Sequence, residues 1–292
     1  MTAPKPKPKP RAKSKTAAKS KSKVTKSKVT KRRTGVRPLP LSGAEPKYSW
    51  EPWGSIGKVH DNCYDYAFGS FSKSRTMKSV PGARAHIGSD DLNFRTCKGI
   101  VYRILKDNPG MVVKHMKNPC ARCPPGYYKV MCFVAPSNDF GNSTGDFHFL
   151  KQIGGVRYRT NPGDTVLGLA AFFKVHPATI MRAARGSTAP VTPNDGRFGN
   201  TIQDLKVLNM NNERHNKSLK ILPGRIIEFP VNLWAHKQGW AGGPLMTDAS
   251  SHVIVDPRKC DMNYTPGFHY TRFCSAWAVK RGMAKTGANN NR

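Results

Sequence analysis

Residues 61–67 read DNCYDYA, a polar pair, then a thiol, then an aromatic and small-residue run. Asp61 or Asn62 can serve as a helix N-cap, because a short polar side chain satisfies free backbone N–H groups of the first turn. Cys63 then falls in that turn, where a helix N-terminus favours thiolate. Two later stretches carry imidazoles in apolar surroundings: DFHF at 146–149, with His148, and WAHK at 234–237, with His236. On a period of two, His148 shares a strand face with Asp146 and Leu150.

The chain has 292 residues, enough for one large domain or two modest ones plus a tail. Its formal net charge is +32. The first forty residues hold 15 Lys and Arg, and no acidic residue precedes Glu45. That segment has too little apolar surface to offset its ordering entropy, which predicts a disordered basic tail over 1–40. The Lys-Pro alternation at its start favours an extended, polyproline-like path. The remainder still carries 34 basic against 17 acidic side chains. Such a balance predicts contact with polyanion: nucleic acid, anionic membrane or acidic glycan. No aromatic residue is interleaved with the tail's charges, so contact with nucleic acid there would not read sequence. No apolar run follows the charged N-terminus, which predicts no secretory signal. No stretch approaches the ~18 apolar residues of a membrane span.

There are seven cysteines, at 63, 97, 120, 123, 132, 260 and 274. An odd count leaves a thiol free if the others pair, and Cys63 is the candidate. Cys120 and Cys123 form a C-x-x-C, but no second close pair completes a zinc set, so structural thiols or a disulfide are expected and no metal or cofactor. Cys260 and Cys274 flank a compact Tyr/Pro/Gly loop and are placed to bridge.

Along the chain, 41–58 reads as an ordered lead-in. TCKGIVYRILKDNPG carries a helical stripe at 100, 101, 104 and 105 that stops at Asn108-Pro109-Gly110. GYYKVMCFVAP and DFHFLKQIG read as buried strands. From Tyr158 the pattern changes to a strand, a helix capped by Asp164 or Thr165, and a second helix at 176–185 or 201–210. LKILPGRIIEFPV closes the stretch with another strand.

Pro162–Val175, PGDTVLGLAAFFKV, and Leu222–Pro230, LPGRIIEFP, resemble the opening and closing motifs of the LysM module. The resemblance covers 158–231 and implies a βααβ fold that binds N-acetylglucosamine-containing polymers. It implies ligand contacts from Gly163, Asp164, Thr165 and Val166 on one loop and from Leu208, Asn209 and Met210 on the other. About 30 residues intervene where the family has a short helix and loop.

Deleting 158–231 brings the two histidines to 14 residues apart, a spacing that suits a β-hairpin. The joined sequence resembles the NlpC-type and CHAP-type cysteine hydrolases of bacterial cell walls. Asn62, Cys63, Tyr66 and Ala67 stand in that family's NCxxYA-like motif. The resemblance implies a papain-like α+β fold in two parts, 41–157 and 232–282, with a flexible C-terminus at 283–292. It implies Cys63 as nucleophile, His148 as base and His236 as the orienting third member. The lysine-proline tail resembles those of virion proteins of large algal DNA viruses.

These readings converge on an α+β cysteine peptidase or amidase, virion-borne or host cell-wall associated, that binds and cleaves a wall polymer. Two other functions fit the same motifs: a minor capsid protein on an inactive hydrolase frame, its tail contacting capsid proteins or nucleic acid, and a glycan-binding adhesin.

Overall fold

The computed structural model describes residues 36–74, 76–88, 96–138, 145–186, 220–239 and 242–287. The chain is α+β, with a mostly antiparallel sheet and short helices packed against it. The sheet contains β1 (Lys47–Tyr48), β2 (Val113–Met116), β3 (Tyr127–Ala135), β5 (Asp146–Arg159), β6 (Ile226–Lys237), β7 (Pro244–Leu245) and β9 (Arg272–Lys280). Its order is β2-β9-β3-β5-β6-β7, with β1 parallel to β5. A two-stranded ribbon joins β4 (Ser137–Asn138) to β8 (Phe268–His269).

Helix α1 (Cys63–Phe68) is six residues long and wholly buried. Asn62, rather than Asp61, is its cap: Oδ1 accepts from the N–H groups of Tyr64 and Asp65, and Asp65 accepts from the Asn62 N–H in return. Gly69 ends the helix in the left-handed region at φ 71°, which glycine adopts without strain. Helix α2 (Cys97–Asp107) starts at Thr96 and stops at Asn108, where the Pro-Gly pair predicted its end.

β3 is buried at all nine positions, so its two faces serve two cores. Val130, Cys132 and Val134 pack with Tyr64, Phe68, Ile100, Ile104, Phe147 and Phe149 on the helix side. Met131 and Phe133 pack with Leu39, Leu150, Trp234, Ile254 and Met262 on the other.

β5 and β6 form one long hairpin, with Leu150 opposite His236 near the inner end and Arg159 opposite Ile226 at the outer end. The outer half carries α3 (Val166–Phe173) and α4 (Pro177–Arg185), giving the order strand, helix, helix, strand over 158–231. Thr165 caps α3, while Asp164 instead accepts from the Asn161 N–H and the Tyr158 hydroxyl. The second helix is the one starting after His176; 201–210 lies outside the described residues. The expected boundaries at 158 and 231 fall inside continuous strands. Val166, Leu169, Phe173, Ile180 and Phe229 therefore share one core with Ile153, Leu233, Tyr48 and Tyr66, because the strands run through both halves without a linker. Gly154 and Gly155 sit at the bulge, where the lead-in crosses close enough that a Cβ would meet Glu45 Cβ at 3.0 Å and Lys47 Cγ at 3.2 Å.

Three expectations are corrected. Cys274 bridges Cys97, not Cys260, because β9 lies beside the start of α2. Residues 283–287, expected to be flexible, are held: Ala284 is buried, the Lys285 N–H donates to Asn108, and Thr286 bonds Ser70 and Asp65. Of the expected tail, 36–40 is part of the fold. Leu39 is buried and its carbonyl accepts from Gln152 and Asn232. Residues 1–35 lie outside the described ones. No helix among the described residues is long and apolar enough to cross a membrane.

Candidate active site

The hairpin register sets the two histidines side by side. His148 Nε2 and His236 Nδ1 are 2.9 Å apart, and both rings are buried. His236 Nε2 is 2.8 Å from the Thr247 carbonyl. A carbonyl only accepts, so Nε2 of His236 carries a proton and Nδ1 of the neutral ring is an acceptor. His148 must then donate from Nε2, which leaves its Nδ1 as a lone pair. A fixed carbonyl two hydrogen bonds away thus sets the tautomer of His148.

Cys63 lines the same cavity of about 460 Å³ as His148, together with Lys78, Asp146, Tyr264 and Tyr270. Its Sγ approaches the Phe147 carbonyl at 3.7 Å rather than an imidazole nitrogen. Burial first, then the Asp146 carboxylate, pushes the thiol from an ordinary 9.0 up to about 12, with Lys78 opposing. A helix terminus contributes about 0.3–1 kcal/mol, less than one pKa unit. α1 has only six residues, so burial outweighs the helix end and the thiol lies above its ordinary value. Burial, the neighbouring imidazole and Lys78 hold His148 well below the usual imidazole range, and burial takes His236 down to about 4. Both shifts favour the neutral forms of Cys63 and His148.

Tyr270 closes over His148. Its ring stacks on His148 at 4.8 Å and its hydroxyl donates to Asp146 at 2.8 Å. Tyr264 approaches both histidine rings from the same 261–271 loop.

No family model, curated protein or solved structure matches this chain.

Sequence reasoning missed a buried clamp. Lys237, next to His236, donates to the carbonyls of Asp61 at 2.6 Å, Gly239 at 2.6 Å and Lys58 at 3.2 Å. Three acceptors match the three donors of an ammonium, so the turn before Cys63 is tied to the strand that carries His236. Burial lowers Lys237 to about 8. Lys151 is also buried: it donates to the Tyr66 carbonyl, lies 3.6 Å from the Tyr66 ring centroid, and is lowered by burial to about 7. A lysine in a strand reads as a solvated position, and only the three-dimensional placement of the turn carbonyls reveals the clamp.

The residues expected to hold sugar have structural tasks. Gly163 turns the chain at φ 90°, Asp164 ties the loop, Thr165 caps α3 by accepting from the Gly168 N–H at 3.0 Å, and Val166 is in the core. Leu208, Asn209 and Met210 lie outside the described residues. Cys120 and Cys123 are free thiols, the first exposed and the second buried beside Met116.

Proposed function

We propose that this protein is a cysteine hydrolase of the NlpC and CHAP type that cleaves an amide bond in a cell-wall polymer. Residues 158–231 would act as a LysM-like holder of an N-acetylglucosamine-containing chain, and the setting would be a virion or the host cell wall. One observation carries the reading: the Thr247–His236–His148 relay leaves His148 Nδ1 a proton acceptor, and His148 lines the same cavity as Cys63.

In this chemistry the Cys63 sulfur attacks the amide carbon as its proton passes to His148 Nδ1. The resulting imidazolium keeps its Nε2–H bond to His236 and gives the new proton to the leaving amine as the C–N bond breaks. Water, deprotonated by His148, then cleaves the thioester to a carboxylic acid and restores the thiol. A bound glycan raises the local concentration of the bond to be cut.

The test is incubation of the full chain with purified wall polymer, with new amines and carboxylates read by mass spectrometry. Cleavage that disappears in Cys63→Ala and falls at least ~100-fold in His148→Ala supports the reading. The low imidazole affinity for protons also places the acid limb of kcat/KM below the ordinary 6.5. Cleavage that persists in Cys63→Ala would sink it.

The thiol raised to about 12 and the Tyr270 ring stacked on the base favour a second reading, a structural virion protein on an inactive frame. It is distinguished by Cys63 that stays unalkylated in a Tyr270→Ala variant.

A further inference from the structure

A second cavity, of about 670 Å³, lies away from the thiol, between the lead-in and the outer end of the β5–β6 hairpin. Four aromatic residues from three separate segments line it: Tyr48, Trp50, Tyr158 and Phe172. Two of them are exposed to an extent unusual for such large apolar side chains, Trp50 at 47% and Phe172 at 42%.

The aromatic surface is built rather than incidental. The Trp50 indole lies so close to the backbone of Gly54 and of Gly243 that a Cβ at either position would collide with it. The Tyr158 hydroxyl is fixed at both ends of its bonding, donating to Asp164 at 3.0 Å and accepting from Asn161 at 2.8 Å. Its ring meets Phe173 edge-on at 5.5 Å, and Phe173 in turn meets Phe172 at 4.9 Å.

The rim is cationic. Arg157 and Arg159 both line the groove. Arg157 shares Glu228 with Lys47, so one carboxylate faces two cations. Among the described residues Arg159 hydrogen-bonds the Gly224 carbonyl, at 3.4 Å, and no carboxylate pairs with it. The groove's own acid, Glu51, accepts from Ser55.

We infer that this groove binds a carboxylate-bearing oligosaccharide, with pyranose rings against Trp50 and Phe172 and acid groups on Arg157 and Arg159. A sugar ring offers an apolar C–H face to an aromatic platform and polar groups at its edge. The guanidinium fork matches the carboxylate bidentately. Aromatic grooves also accept proline-rich peptides, but the chain's own Lys-Pro segment is cationic and the two arginines repel it. The inference uses neither the thiol nor the two histidines, and of the 163–166 loop only Asp164, which holds Tyr158, so it stands or falls apart from the hydrolase reading.

The test reads Trp50 directly, because the basic tail binds any polyanion. Tryptophan fluorescence of the full chain is titrated with hexagalacturonate at roughly 150 mM salt, where long-range attraction is screened. The same titration is run on Trp50→Phe, Phe172→Ala, Arg159→Gln and Cys63→Ser. The expected result is saturable quenching that vanishes in Trp50→Phe. Its apparent Kd should rise about 10-fold in Phe172→Ala and in Arg159→Gln, the scale of one charge-assisted contact, and be unchanged in Cys63→Ser. Circular dichroism and melting of each variant confirm that the fold is kept. Quenching equal in wild type and Trp50→Phe overturns the inference. So does equal affinity for uncharged chitohexaose, which would make the groove indifferent to carboxylate. Tighter binding of a synthetic peptide of residues 1–15, lost in Phe172→Ala, would assign the groove to peptide instead.

Discussion

Burial shifts two imidazoles and an ammonium beside the site toward their neutral forms. The unfolded chain takes up protons on His148 and His236 below about 6.5. The folded chain resists, holding His236 neutral down to about 4 and His148 lower than its ordinary value. The unfolded state therefore binds more protons in that window, and stability falls as pH falls through it. A melting series from pH 7 to pH 4.5 should show this acid slope above the carboxylate range, and His236→Gln should flatten it. An unchanged slope would mean the pair is not buried in solution. Lys237 makes the complementary case. Lys237→Met leaves the buried Asp61 carbonyl and the part-buried Lys58 and Gly239 carbonyls without this donor, the buried one at about 1–3 kcal/mol before relaxation. We expect a loss of about 1–3 kcal/mol by urea denaturation. Lys237→Arg should recover only part of it, since a planar fork does not match three carbonyls around a point. The sequence showed the histidines because they interrupt apolar runs. It hid Lys237 and Lys151 because a lysine's usual place is solvent, and only the final packing supplies their acceptors.

At the scale of elements, local chemistry was legible wherever a cap, a breaker or a clear period stood in the chain. Helix α2 ends at Asn108-Pro109-Gly110, β3 is buried along its length, and α1 begins at Cys63. What local chemistry could not supply was the choice between equivalent caps. Asn62 won over Asp61 because its amide does two jobs: Oδ1 caps the helix and Nδ2 donates to the Ser79 carbonyl at 2.6 Å. Asp61 instead accepts from the Ser72 N–H. Asn62→Ala should therefore cost more than an ordinary cap deletion of about 1 kcal/mol. The excess belongs to the buried Ser79 carbonyl. Asn62→Asp keeps the cap and places a carboxylate against that carbonyl, so it should remain well below wild type. Equal stability of Asn62→Asp and wild type, measured by urea denaturation, would show that the Ser79 bond contributes nothing. The order strand, helix, helix, strand over 158–231 was equally readable, but the edges of that stretch were not. β5 and β6 pass through the expected boundaries, and a strand gives no compositional sign of where one half's core hands over to the other's.

Over the whole molecule, the contacts that close the fold join positions far apart in sequence, and these were the least legible. The Cys97–Cys274 bridge spans a sequence separation of 177. No spacing rule favours that pair over Cys260–Cys274, which differs only in where the strand order sends the chain. β9 pairs with both β2 and β3, and α2 packs across them, so the start of α2 arrives at Cys274. A cross-link over so long a loop acts mainly on the unfolded chain, and the loop-entropy relation gives about 5 kcal/mol. Wild type in dithiothreitol should therefore melt well below the oxidised protein. A Cys97→Ser/Cys274→Ser double variant should match the reduced wild type and not respond to dithiothreitol. The single variant Cys260→Ser should leave the redox response intact. If the double variant melts like oxidised wild type, the bridge contributes no stability. If Cys260→Ser removes the response, the pairing is the other one, and β9 would have to meet the 260–271 loop rather than α2.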